Sequence, residues 1–255
     1  MATDLSANLT ITARHALACL DLTSLNDADT AADITTLCAR AQSPFGPVAA
    51  VCVWPRFVSQ ARALLPAEIK VAAVANFPDG SLDLVRTLAQ VSEIVEAGGD
   101  EIDVVLPYRA LMQGRSSECA EFLAEVRHAT RPLTLKVIIE SGELKTTALI
   151  AQATRLALMA GADFVKTSTG KTPVSATPRA ARTMLAEIKT SGLPAAGFKA
   201  SGGIRTVADA AVYLALLSDD DARNPRRFRF GASGLLNDIE AVLSGQTTPA
   251  ASSAY

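Results

Sequence analysis

Histidine is nearly missing from this chain: only His15 and His128 occur in 255 residues. Neither is grouped with cysteines or carboxylates at metal-ligand spacing. That argues against zinc chemistry and against a serine–histidine triad, and leaves acid–base work to carboxylates, lysines or water. Cys19, Cys38, Cys52 and Cys119 stand apart with no CxxC pair, so they read as reduced thiols rather than a disulfide framework. No apolar run is long enough to span a bilayer. The start Met1-Ala2-Thr3-Asp4 is polar and acidic, with no basic-then-apolar leader. The expectation is a cytoplasmic protein with no membrane partner. A net charge of −2 leaves no basic footprint for nucleic acid.

What is present is a repeating unit. Hydrophobic residues make up 49% of the chain and charged residues 20%, the balance of a soluble globular protein. Short apolar runs over residues 17–23, 48–53, 70–76, 100–106, 133–140, 162–167, 195–199 and 227–230 read as strands. Between them lie helical patterns over 26–41, 55–65, 81–97, 116–130, 144–160, 177–191, 206–217 and 235–243, after a first helix over 10–16. Near-continuous apolar strands alternating with helices predict a parallel sheet covered by helices, and eight units predict a (β/α)8 TIM barrel. The competing architecture, a doubly wound open sheet, usually carries a glycine-rich turn after its first strand. Asp21-Leu22-Thr23-Ser24 has no such glycines. The reading is one domain over 1–255, with an N-terminal extension over 1–16 and a flexible tail over 246–255 ending in Tyr255.

In such a barrel the chemistry sits at the C-terminal ends of the strands. Asp21, Asn76, Asp103, Glu140, Lys166 and Lys199 all lie near those ends. Alternation puts Glu101 with Asp103 on one face, and likewise Lys136 with Ile138 and Glu140, Phe164 with Lys166 and Ser168, and Gly197 with Lys199 and Ser201. Alone, Lys166 is either a nucleophile or a side chain snorkelling to solvent. Beside Lys199 each lysine disfavours the charged form of the other, which activates an amine, and Asp103 is a proton carrier or lysine partner. The bland reading of Asp103 and Lys199 is an ion pair bracing the barrel. Lys136 reads as an interior lysine paired with Glu101 or Asp103. Glu140 stays open between a cap, an ion-pair partner and the pocket. Cys52 reads as a buried structural thiol, and Trp54 as a residue able to wall the site. Arg226, Arg227 and Arg229 read mostly as solvated or fold-bracing.

Small-residue loops follow the last three strands: Thr169-Gly170-Lys171, Ser201-Gly202-Gly203 and Gly231-Ala232-Ser233-Gly234. Loops of this kind after late barrel strands hold phosphate through backbone N–H groups. Ordinary turn chemistry is the alternative.

Six segments carry a resemblance: Leu17-Ala18-Cys19-Leu20-Asp21-Leu22-Thr23, Asn76-Phe77-Pro78-Asp79-Gly80, Asp100-Glu101-Ile102-Asp103-Val104-Val105, Lys136-Val137-Ile138-Ile139-Glu140, Phe164-Val165-Lys166-Thr167-Ser168-Thr169-Gly170 and Gly197-Phe198-Lys199-Ala200-Ser201-Gly202-Gly203-Ile204-Arg205-Thr206. In order and spacing the chain resembles the 2-deoxyribose-5-phosphate aldolase family. The resemblance implies a class I lyase that needs no metal or cofactor. It implies reversible cleavage of 2-deoxy-D-ribose 5-phosphate to acetaldehyde and D-glyceraldehyde 3-phosphate in the cytoplasm, by an enzyme expected to be a homodimer. By the same resemblance Lys166 is the Schiff-base lysine and Lys199 the second lysine that tunes it. Asp103 is the proton-relay carboxylate, Asp21 a member of its network, and Tyr255 a tail residue that closes on the site. Phosphate contacts fall to Thr169, Gly170, Lys171, Gly202, Gly203, Ser233 and Gly234, with Ser233-Gly234 replacing the serine pair many relatives carry. Two rival readings are a Schiff-base aldolase acting on another phosphorylated sugar or keto acid, and a non-catalytic sugar-phosphate-binding barrel.

Overall fold

The structure, a computed structural model, describes residues 2–246, with side chains from residue 8 onward. Eight parallel strands close into a barrel: β1 (Leu20–Thr23), β2 (Ala50–Val53), β3 (Lys70–Ala75), β4 (Glu101–Val105), β5 (Thr134–Ile138), β6 (Phe164–Lys166), β7 (Gly197–Ser201) and β8 (Phe228–Ala232). Each pairs with its successor, and β8 closes on β1 through Leu20 opposite Phe230. The strands are short apolar runs because both of their faces are covered. Every residue of β2, β4 and β8 is buried. Such two-sided burial selects Val, Ile, Ala and Phe wherever the interior needs no charge. On the outer side, Phe228 and Phe230 meet edge-to-face with ring centroids 4.6 Å apart, and full burial of each ring contributes roughly 2–3 kcal/mol.

Outside the barrel lie α1 (Ala2–Ala18), α2 (Ala31–Ala41), α3 (Val58–Leu64), α4 (Leu84–Glu96), α5 (Ser116–Thr130), α6 (Thr147–Met159), α7 (Pro178–Thr190), α8 (Val207–Leu214) and α9 (Leu235–Leu243). Their starts are chemically marked. Thr30 with Asp33 and Thr206 with Asp209 form capping boxes, and Thr177 caps α7 with Pro178 in its first turn.

The largest departure from the sequence reading is α1, which runs from Ala2 rather than from residue 10. Its later turns dock on α8 and α9, and a helix once nucleated by packing propagates at little cost into polar sequence. Between α2 and β2, Gln42–Ser43 and Gly46–Pro47 form a two-stranded hairpin, with Gly46 at φ 128°. A 3-10 turn, Pro55–Phe57, precedes α3, and three short helices appear at Tyr108–Met112, Ser141–Leu144 and Asp219–Ala222. Among the described residues no helix is long and apolar enough to cross a membrane. Tyr255, with the rest of 247–255, lies outside the described residues.

Candidate active site

Strand register brings the charged side chains together. It sets Asp103 beside Lys136, Lys166 beside Lys199, and Lys199 beside Arg229. Residues paired across a ladder face the same way, so all five enter the barrel interior. Asp103 is the hub. Its Oδ1 accepts from Lys136 Nζ at 2.7 Å, and its Oδ2 accepts from both Lys166 Nζ and Lys199 Nζ at 2.8 Å. Lys136 also meets Glu101 at 2.5 Å and lies 3.7 Å from Asp21, while Lys199 donates to Asp21 as well. Arg229 completes the array, donating to Asp21 at 2.5 Å, to Glu101 at 2.9 Å and to the Pro225 carbonyl.

Two glycines make room for these long side chains. An added Cβ at Gly231 would come within 3.0 Å of Lys199 Cε, and one at Gly197 within 2.6 Å of Phe164 Cδ1. The Phe164 ring in turn lies 5.6 Å from the Arg229 guanidinium.

All seven charged groups are buried, so each would be costly without partners. Burial alone would raise the Asp103 carboxyl, but Lys136, Lys166 and Lys199 outweigh it and hold it well below the usual carboxylate range. Asp21 is likewise pushed up by burial and held low by Lys199, Arg229 and Lys136. Burial favours the neutral amine of Lys136 and of Lys199. Asp103 and Glu101 raise the first, and Asp103 and Asp21 the second, so both stay cationic. Lys136 touches three carboxylates, Lys199 two and Lys166 one. Lys166 is therefore the lysine least committed to its neighbours, and it sits at the last residue of β6.

A cavity of about 500 Å³ opens beside this array. Thr169, Gly170, Lys171, Gly202, Gly203, Ser233 and Gly234 all line it, together with Thr23, Ser24, Asn26, Ser201, Arg205 and Gly231. Its charged lining residues, Lys171 and Arg205, are both cations. The backbone N–H groups of Gly170, Gly203, Ser233 and Gly234 have no acceptor among the described residues. Gly234 caps α9, so the positive end of that helix faces the same space. Donors, cations and a helix start suit an anion. A larger hollow of about 810 Å³ lies among Leu185, Leu193, Leu217 and Arg227. It is at the opposite, N-terminal end of β7 and β8 and holds none of the buried charge array.

The structure thus brings together Asp21, Asp103, Lys166 and Lys199 in one network, and the seven small-loop residues around one cavity. Lys136 is paired with both Glu101 and Asp103. Cys52 is fully buried, and burial raises its thiol, reinforced by Asp103 against the lysines; it is an inert thiol. Trp54 does not wall the cavity. Its Nε1 donates to the Asn26 carbonyl at 3.0 Å and its ring packs edge-on against Phe77. Asn76, at φ 53°, braces its own turn by bonding Ser81 and the Val105 carbonyl.

Two residues escaped the sequence reading. Arg229 is a buried cation paired with Asp21 and Glu101 rather than a solvated one, and its signal was there: an arginine between Phe228 and Phe230 in a strand must face the opposite side from both rings. Glu140 leaves the face of Lys136 because it is left-handed, at φ 52°. Its carboxylate binds Thr169 and Thr172 instead.

The sequence model of the DeoC/LacD family aldolases matches residues 15–240. The chain is 49% identical over 245 residues to the deoxyribose-phosphate aldolase of Agrobacterium fabrum, covering 94% of each protein. Among solved structures it is similar to a protein of Coccidioides immitis assigned as a deoxyribose-phosphate aldolase. That pair is 30% identical with a TM-score of 0.80, covering 90% of this chain and 87% of the other. It is also similar to a Toxoplasma gondii protein with the same assignment, at 24% identity and a TM-score of 0.85, covering 95% and 100%. That second likeness is one of fold.

Proposed function

The chain belongs to the DeoC/LacD family of aldolases, and from that membership we infer that it reversibly cleaves 2-deoxy-D-ribose 5-phosphate to D-glyceraldehyde 3-phosphate and acetaldehyde. It is a lyase. The observation that carries the residue assignment is Asp103 Oδ2, which accepts from Lys166 and from Lys199 at 2.8 Å each, next to a cation-lined cavity of small residues.

In the reaction we propose, the neutral amine of Lys166 attacks the sugar aldehyde, and loss of water gives a protonated imine. A base removes the 3-hydroxyl proton, and the bond between the second and third carbons breaks. Its electrons move into the imine to form an enamine on Lys166, and glyceraldehyde 3-phosphate leaves. Protonation of the enamine carbon and hydrolysis then release acetaldehyde and free the lysine. Asp103 and Lys199 suit the proton transfers because each is one hydrogen bond from Lys166 or from its partner carboxylate, and such groups contribute about 10²–10⁴ in rate. Asp103 and Asp21 support the reading by keeping Lys199 cationic, and Arg229 holds Asp21 from its other side. A cationic neighbour disfavours a second ammonium beside it. Around the phosphate, Gly170, Gly203, Ser233 and Gly234 offer N–H donors, and Lys171 and Gly202 shape the wall.

Borohydride reduction in the presence of substrate is expected to leave a stable adduct on Lys166, found by peptide mapping. An adduct on Lys199, or none, overturns the assignment. Acetaldehyde-dependent turnover separates this reading from a related aldolase with another donor. We read the chain as one barrel domain and, on the resemblance, as a cytoplasmic homodimer. Light scattering and cell fractionation check the last two points.

A further inference from the structure

Glu140 is an odd residue to find where it is. It comes two residues after β5 and takes a left-handed backbone at φ 52°, which costs a non-glycine residue roughly 1–2 kcal/mol. The conformation is pinned from both sides. Ile139 N–H donates to the Lys166 carbonyl at 3.0 Å, and Ser141 N–H to the Thr167 carbonyl at 2.8 Å. Between those ties the side chain of Glu140 turns away from the barrel interior into a site with 0% exposure. Among the described residues, every donor that reaches it comes from one loop. Thr169 Oγ1 donates at 2.5 Å, Thr169 N–H at 3.2 Å and Thr172 Oγ1 at 3.2 Å. Burial raises the Glu140 carboxyl against the pull of these donors.

The chain of contacts continues towards the cavity. Thr169 Oγ1, with its own proton directed to Glu140, accepts the Lys171 N–H at 3.0 Å. Gly170, at φ 80°, lines the cavity with no acceptor for its N–H among the described residues, and its backbone lies against Gly202. An added Cβ at Gly202 would lie 3.3 Å from Gly170 Cα. Lys171 Nζ reaches the Leu25 carbonyl at 2.7 Å. Thr169, Gly170 and Lys171 line the cavity, whereas Glu140 does not. A buried carboxylate thus stands behind an anion cradle and dictates its shape without touching what it holds.

We propose that Glu140 is a positioning residue for phosphate recognition. Its carboxylate locks Thr169, and through Thr169 the Gly170–Lys171 turn, in the form that meets the phosphate of the substrate. The Thr169 hydroxyl is then part of the clamp rather than a donor to phosphate. The role of Glu140 is substrate selection: it favours phosphorylated over unphosphorylated aldoses. This rests on the reading of the cavity as the phosphate site.

The test separates phosphate-dependent from phosphate-free chemistry in the same enzyme. Steady-state cleavage of 2-deoxyribose 5-phosphate and inhibition by inorganic phosphate report the cradle. Exchange of acetaldehyde methyl hydrogens with solvent deuterium reports imine and enamine formation without phosphate. Glu140→Gly is the first variant, because glycine accepts the left-handed backbone and removes only the clamp. Its KM for the phosphorylated sugar and its inhibition constant for phosphate are expected to rise about ten-fold to a hundred-fold, as for loss of hydrogen bonds to a charged group. Acetaldehyde exchange is expected to change far less, by under about three-fold. Glu140→Gln, which keeps one acceptor oxygen, falls in between. Adding Thr169→Val to Glu140→Gly is expected to raise KM little further, because both break one chain of contacts. Equal losses in cleavage and exchange, or an unchanged KM in Glu140→Gly, overturn the proposal. Wild-type enzyme that exchanges acetaldehyde but is not inhibited by phosphate overturns the cavity reading itself, and this inference with it.

Discussion

The barrel interior and the rim cavity beside it are built on opposite plans. Inside, recognition is by side chain: Lys136, Lys166, Lys199 and Arg229 interlock with Asp21, Glu101 and Asp103 at hydrogen-bond distance, all out of water. At the rim, most side chains shrink to glycine and serine beside Lys171 and Arg205, and the recognition groups we propose are the backbone N–H donors of Gly170, Gly203, Ser233 and Gly234. Proton transfer and covalent chemistry need groups with a tuned charge held to a fraction of an ångström. A phosphate needs several weak donors around one anion. The interior therefore lacks redundancy at its reacting atom, and the rim has it.

That contrast makes the interior the place where one change does most damage. Asp103→Asn is expected to lower kcat by about 10²–10⁴ while still permitting some borohydride adduct; wild-type turnover in Asp103→Asn would remove the carboxylate from the proton path. Lys199→Leu is expected to lose activity on a similar scale, with the acid limb of the pH–rate profile moving to higher pH because a neighbouring cation is gone. An unmoved profile would assign Lys199 to bracing alone.

Next in size is a stability effect. Arg229→Met leaves Asp21 and Glu101 short of a buried cation, a change that costs about 3–5 kcal/mol and is read as a drop in urea midpoint; a loss below about 1 kcal/mol would mean that water or Lys136 takes over. Asp21 and Asp103 titrate lower in the folded chain, so the unfolded chain binds more protons in acid. Their contribution is complete above their unfolded values and fades as pH falls below about 4. Lys136 and Lys199 titrate higher when folded, and their contribution fades only as pH climbs past about 10.4. Wild-type stability is expected to be nearly flat between those limits as far as this array is concerned. A peak confined to neutral pH in urea titrations would contradict the ion-pair assignment.

The smallest effect belongs to the rim. Ser233→Ala removes one hydroxyl and leaves the N–H donors, so KM is expected to rise by no more than about ten-fold with kcat unchanged. A fall in kcat would show that the rim takes part in the chemistry and would erase the contrast.

Much of this plan was legible from residue order. Each strand announced itself because two-sided burial demands an apolar run. Asp103, Lys166 and Lys199 stood out as charges inside such runs, where alternation forces them inward. Arg229 was harder because Arg226 and Arg227, both outside the strand, made a charged cluster that looked solvated. Glu140 was beyond reach: alternation holds only while the chain stays extended, and nothing in Ile139-Glu140-Ser141 signals a left-handed turn. The hairpin at Gln42–Ser43 and Gly46–Pro47 is a local pairing without an apolar run to announce it, and the extent of α1 was set by packing on helices far away in sequence.

One consequence follows from the forked contacts of Asp103. In the reaction proposed above, Lys166 gives up most of its N–H bonds on becoming an imine, and a carboxylate relying on it alone would be stranded inside the barrel. Oδ2 keeps Lys199 and Oδ1 keeps Lys136. The covalent cycle can therefore turn over on a frame that never has to relax, and the same fork ties the progress of the reaction on one strand to the charges on its neighbours.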